Sequence, residues 1–167
     1  EESVAVDLVT PQQLAEAEPK LRPGLAGGLL VPQDGVLYPP AAAGWLLQRA
    51  TTAGAELLLG LSVTSLIHQK VYLSDGTSLS AGTLVNATGA WAPELTPGIQ
   101  VRKRKGHLVI TDRYPGFVRH QLVELGYLKS AHSVSADSVA FNAQPRKTGQ
   151  ILIGSSRQYG NENTTVD

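Results

Sequence analysis

The hydrophobic period of this chain changes near residue 97, and that change limits the fold more than any other feature of the sequence. Before it, helical and strand patterns alternate. After it, short apolar stretches separated by turn residues read as an antiparallel sheet. A chain carrying both patterns is expected to be an α+β protein with two lobes. The expected organisation gives residues 1–39 to the start of one lobe and its connection, and 40–96 to a second lobe of helix and strand. Residues 97–157 then form the antiparallel sheet of the first lobe, and 158–167 form a polar tail.

Local signals fill in this outline. Thr10-Pro11-Gln12-Gln13 offers a capping residue, a proline at the first helical position and a glutamine at the third. A short helix is expected from Pro11 toward Glu18, ended by Pro19. Pro32-Gln33-Asp34-Gly35 is a turn between two short apolar strands. Residues 40–53 are rich in alanine and leucine, with Trp45, Leu46, Arg49 and Ala50 at helical spacing and Gly54 placed to cap the end. Short strands follow at Glu56–Leu59, Ser62–His68, Val71–Leu73, Ser78–Ser80 and Thr83–Asn86, with a hairpin turn at Ser74–Thr77. This order suggests a βα-type sheet with a small antiparallel flap. The later sheet is expected to contain 99–112, 118–123, 139–144 and 150–155, the last two joined around Pro145–Gly149.

Several function classes fall away. Lys+Arg 14 balances Asp+Glu 14, so no overall field draws nucleic acid or an anionic membrane. The basic run Arg102-Lys103-Arg104-Lys105 lacks interleaved aromatics and reads as a solvated strand edge. No apolar stretch approaches the ~18 residues of a membrane span. There is no cysteine, and His68, His107, His120 and His132 never pair at ligand spacing, so no metal site is expected. No G-x-S-x-G, Walker or GxGxxG motif is present, and no catalytic residue is assigned. The chain opens at Glu1 in mid-pattern and without methionine, which reads as a piece of a longer protein.

The most distinctive stretch is Leu84–Pro93, "LVNATGAWAP", where the smallest side chains stand beside a tryptophan. Small residues at a strand end let a backbone come close to something. The stretch resembles the "V-N-A-x-G-A-W" strand of the D-amino-acid oxidase, glycine oxidase and sarcosine oxidase superfamily of FAD enzymes. "DGVLYPPAAAGWLLQRATTAGAELLLGLSVTSL", "RKRKGHLVIT" and "GQILIGSSR" are similar to three further landmarks of that family, in the same order. Departures are His107 where glutamine is usual, Lys103 where proline is common and Ser156 where threonine is common. The family's N-terminal GxGxxG and C-terminal glycine-rich segment are missing.

The resemblance implies a partial FAD-binding α/β lobe over 40–96 and an antiparallel substrate-domain lobe. It implies FAD contacts from Val63, Ala87, Thr88, Gly89, Ala90 and Trp91. It also implies that Phe141, Ser155, Ser156 and Arg157 line the substrate, with the Arg157 fork gripping a carboxylate; Tyr127 and Tyr159 are further hydroxyls without a place. The implied reaction of the full-length protein is oxidation of the C–N bond of a small amino acid or amine by hydride transfer to FAD. These 167 residues alone are then expected neither to hold FAD nor to catalyse. Two other readings stand beside this one: a non-catalytic α+β subunit-contact module, and a flavoenzyme of another reaction class. The resemblance implies a cytoplasmic or membrane-peripheral protein; oligomeric state is left open.

Overall fold

The computed structural model describes residues 4–126 and 137–166. Tyr127 and His132 lie outside them. The chain forms two compact units, Glu1–Leu37 with Arg104–Asp167, and Tyr38–Lys103. Helices and antiparallel sheets together make it an α+β protein.

The first unit begins with β1 (Asp7–Val9), α1 (Pro11–Ala17) and β2 (Gly28–Leu30). Thr10 and Gln13 form the expected reciprocal cap: Gln13 N–H donates to Thr10 Oγ1 at 3.3 Å and Thr10 N–H to Gln13 Oε1 at 2.9 Å. β2 pairs antiparallel with β1 rather than with a strand beyond the Pro32–Gly35 turn, and no strand follows that turn. A two-residue-scale turn signal cannot reveal a partner about twenty residues upstream.

Glu18 ends α1 and is buried, at 2% exposure. Its Oε1 accepts from the backbone N–H groups of Arg119 at 2.9 Å and His120 at 2.6 Å, and it lies 2.9 Å from His120 Nδ1. A buried carboxylate is tolerable only when donors surround it, and here three do. Glu18→Ala orphans two backbone donors and is expected to cost about 3 kcal/mol, with Glu18→Gln costing less. Urea unfolding of the full-length protein measures both; equal, near-zero costs would contradict the assignment.

The main sheet contains β6 (Arg104–Lys105), β7 (Leu108–Ile110), β8 (Leu122–Val123), β9 (Ser138–Pro145) and β10 (Ile151–Tyr159). β9 and β10 form the expected hairpin, closed by Arg146 N–H donating to Gln150 O at 2.8 Å. β8 lines the far edge of β9. The far edge of β10 is shared, with β7 against Leu152–Gly154 and β6 against Gln158–Tyr159. Ala140, Ala143, Ile151 and Gly154 are the buried residues of this sheet. The stretch expected over 99–112, with its interruption at Gly106, forms β6 and β7, and 118–123 shortens to β8. Gln158 and Tyr159, expected in the polar tail, belong to β10. Tyr159 pairs there with Arg104, whose Nη1 donates to the phenol oxygen at 3.2 Å.

The second unit holds α2 (Pro39–Thr52), β3 (Val63–Ile67), β4 (Lys70–Leu73), β5 (Ser78–Ser80) and α3 (Ala92–Leu95). α2 has proline in its first turn and Gly54 just past its end at φ +95°. β3, β4 and β5 make the expected antiparallel flap. In its second turn Asp75 accepts from the Thr77 hydroxyl at 2.7 Å and the Thr77 N–H at 2.9 Å. These bonds, the hydroxyl first, hold the Asp75 carboxyl below its usual pKa. The turn keeps their benefit above the ordinary carboxylate value and loses it as pH falls through the lowered one. Glu56–Leu59 and Thr83–Asn86, expected as strands, join no ladder among the described residues. An apolar run becomes a strand only beside a partner.

His68 opens the two-residue β3–β4 turn at φ +55°, a left-handed angle costly for a side chain. His68→Gly is expected to raise stability by about 0.5–1 kcal/mol. A thermal melt showing destabilisation instead would contradict this.

Candidate functional site

The small-residue stretch is a built turn, and Asn86 builds it. Asn86 Oδ1 accepts from Thr88 N–H at 3.2 Å and Thr88 Oγ1 at 2.7 Å. Its Nδ2 donates to Ala92 O at 3.1 Å and to Thr96 Oγ1 at 2.7 Å. One half-buried amide therefore clamps both ends of residues 86–96. Gly89 takes φ +61° and begins a 3₁₀ turn, Gly89–Trp91, that runs directly into α3. A Cβ built on Gly89 meets nothing within 4 Å, so within this structure the glycine answers to backbone angle rather than crowding. Ala87, Thr88 and Gly89 are exposed, Ala90 is half-buried, and Trp91 is 61% exposed with Lys103 Nζ 5.8 Å from its ring centroid. Val63 starts β3, the strand against which α3 packs, so the six candidate cofactor residues all lie in the second unit. Asn86 was not singled out in the sequence, although its Asn-x-Thr spacing is the signature of a side chain closing its own turn.

Phe141, Ser155, Ser156 and Arg157 all lie in the first unit, on β9 and β10. The β9–β10 register shifts between Gly154 and Ser156, so Ser155 occupies the irregularity. Ser156 stands opposite Val139, and Arg157 opposite Ser138. Beyond the irregularity, alternation puts Ser156 with Val139 on one face of the sheet and Arg157 with Ser138 on the other, and Phe141 lies within the irregularity on β9. Among the described arginines only Arg146 and Arg157 are half-buried; the rest are exposed.

The edge of β10 between its β7 and β6 ladders is where Gly106 and His107 pass. A Cβ on Gly106 would lie 2.8 Å from Ser156 O, so no larger residue fits that crossing unmoved. His107 N–H donates to Ser156 Oγ at 3.1 Å, and His107 Nδ1 lies 2.9 Å from the same oxygen. The hydroxyl has one proton and two lone pairs, so Nδ1 pairs with it either by accepting that proton or by donating to the oxygen, according to its tautomer. The sequence placed no base beside a serine; the contact depends on a register that spans 49 residues. No group of three or more metal-ligating side chains occurs among the described residues, and no helix there is long and apolar enough to cross a membrane.

Comparison with known proteins gives this geometry its context. The model of the family described as FAD dependent oxidoreductase matches residues 1–167. The chain is 32% identical over 157 residues to hydrogen cyanide synthase subunit HcnC of Pseudomonas aeruginosa, covering 88% of this chain and 34% of that protein. It is 33% identical over 109 residues to glycerol-3-phosphate dehydrogenase 1 of Mycobacterium bovis, covering 60% of this chain and 21% of that one. Glycine oxidase from Geobacillus kaustophilus superposes with a TM-score of 0.77 at 25% identity, over 98% of this chain and 42% of its own. Glycine oxidase from Bacillus cereus superposes at 0.80 with 18% identity, a likeness of fold. The chain thus spans about a third of the HcnC length and about two fifths of the solved structures.

Proposed function

This chain belongs to the FAD-dependent oxidoreductase family, and from that premise we propose that the full-length protein oxidises the C–N bond of a small amino acid or amine. The observation that supports this choice is the likeness to glycine oxidase over 98% of the chain.

FAD, when bound, accepts the hydride that leaves the substrate's α-carbon. The 86–91 turn fits such a group. The first N–H groups of a helical turn have no carbonyl within it to reach, and small side chains leave that backbone open to approach. Ala87, Thr88, Gly89 and Ala90 would meet the cofactor through backbone, Trp91 would cover it with apolar surface, and Val63 would support the turn from β3. Arg157 is proposed to hold the substrate carboxylate, since a guanidinium makes two parallel hydrogen bonds to it. Ser155 and Phe141, both at the β9–β10 irregularity, are proposed to stand near it, and Ser156 serves the opposite face of the sheet. The 167 residues alone are proposed to hold FAD weakly at best.

A screen of the full-length protein tests the reading. Amino acids and secondary amines are expected to yield an oxo acid with ammonia or an amine. The second reading, oxidation of an alcohol, takes its support from the likeness to glycerol-3-phosphate dehydrogenase 1. Turnover of glycerol 3-phosphate with no turnover of any amine would favour it.

A further inference from the structure

Arg157 sits in the stretch of β10 that lies between its two far-edge ladders, where a side-chain contact adds support. Its flanking ladders end at Gly154 against Leu108 and resume at Gln158 against Lys105. Across that interval the register with β9 also slips. The far-edge ladder is therefore absent over residues 155–157, and on the β9 side Ser155 falls in the register shift. His107 supplies ties where the far-edge ladder is interrupted, through its N–H and its Nδ1, both on Ser156 Oγ. Ser156 and Arg157 are adjacent and point to opposite faces, so a strand held by Ser156 on one side presents Arg157 on the other.

We propose that His107 is a positioning residue for Arg157, acting through the Ser156 hydroxyl. This rests on the reading of Arg157 as the carboxylate's cation. A guanidinium recognises a carboxylate bidentately only within a narrow range of orientation, so small rotations of residues 155–157 weaken the grip. The imidazole is suited to the task because its Nδ1 makes a second hydrogen bond with the hydroxyl whose oxygen the backbone N–H already holds. Gly106 permits the close crossing that brings both groups to Ser156.

The test uses the full-length flavoenzyme and two substrates, the amino acid found by the screen and its decarboxylated amine. His107→Leu keeps bulk and loses the ring nitrogen. His107→Gln offers an amide able to donate to or accept from the same hydroxyl. Ser156→Ala removes both ties. His107→Leu and Ser156→Ala are each expected to lower kcat/KM about fivefold or more for the amino acid, mainly through KM, and less than about twofold for the amine. His107→Gln is expected to recover most of the amino-acid activity. Flavin content and Tm show whether each variant has folded; Ser156→Ala, the smaller change, carries the test if His107→Leu does not fold. Equal losses on both substrates, or no loss on either, overturn the proposal. If Arg157→Lys itself fails to discriminate the two substrates, the underlying reading falls and takes the proposal with it. If Arg157→Lys discriminates and the His107 and Ser156 variants do not, the proposal alone is overturned.

Discussion

Full-length protein carrying Gly89→Val is expected to purify with about a tenth or less of the normal flavin, at a modest cost in Tm. Two effects contribute. Gly89 stands at φ +61°, an angle that a β-branched residue adopts only with strain of about 1–3 kcal/mol. A side chain there also projects into space where, among the described residues beyond its chain neighbours, no atom lies within 4 Å, so it would stand between the turn and anything that approaches it. Gly89→Asn separates the two, because asparagine tolerates left-handed angles. If close approach is the requirement, Asn loses flavin nearly as Val does while keeping stability. If angle alone matters, Asn restores flavin. Full flavin occupancy in the valine variant would remove the turn from the cofactor site altogether. The ratio of flavin to protein absorbance, read beside a thermal melt, measures each outcome.

The second large effect is expected from Arg157→Lys, which should lower kcat/KM for an amino acid about tenfold to a hundredfold. An ammonium keeps the charge and loses the two-point contact, a difference of roughly 1.5–3 kcal/mol for a charge-assisted bond. The decarboxylated amine should be almost indifferent, and flavin content should not change. Parallel loss on both substrates would mean that Arg157 does not read the carboxylate. No loss on either would pass that role to Arg146, the other half-buried arginine among the described residues, at the β9–β10 hairpin.

What could be read in advance follows the range of the forces involved. The Thr10–Gln13 cap, the Asp75–Thr77 turn and the β9–β10 hairpin are fixed by neighbours within a few residues, and each was legible. Partner choice was not. β1 takes β2, and β10 takes both β6 and β7, by pairings whose turn chemistry lies nowhere between them. The apolar runs Glu56–Leu59 and Thr83–Asn86 carry strand composition without a ladder, since composition describes a face and not its neighbour. The candidate site divides in the same way. "NATGAW" announces a turn of small residues, and the Asn-x-Thr spacing carries two of Asn86's four hydrogen bonds; those to Ala92 and Thr96 have no local signature. Ser156 and Arg157 were named together because they are adjacent; strand alternation sends them to opposite faces. His107, in the sequence a histidine at no metal-ligand spacing and a departure from the family pattern, is in the structure the partner of Ser156.

The most direct test of C–N oxidation is anaerobic mixing of the flavin-loaded full-length protein with single candidate substrates. Loss of the visible flavin absorbance reports hydride transfer without requiring knowledge of the natural electron acceptor. An amino acid or secondary amine is expected to bleach the flavin within the time of turnover, and replacing its α-hydrogen with deuterium is expected to slow the bleaching. Flavin that stays oxidised with every amine and is bleached by an alcohol substrate such as glycerol 3-phosphate would contradict the account.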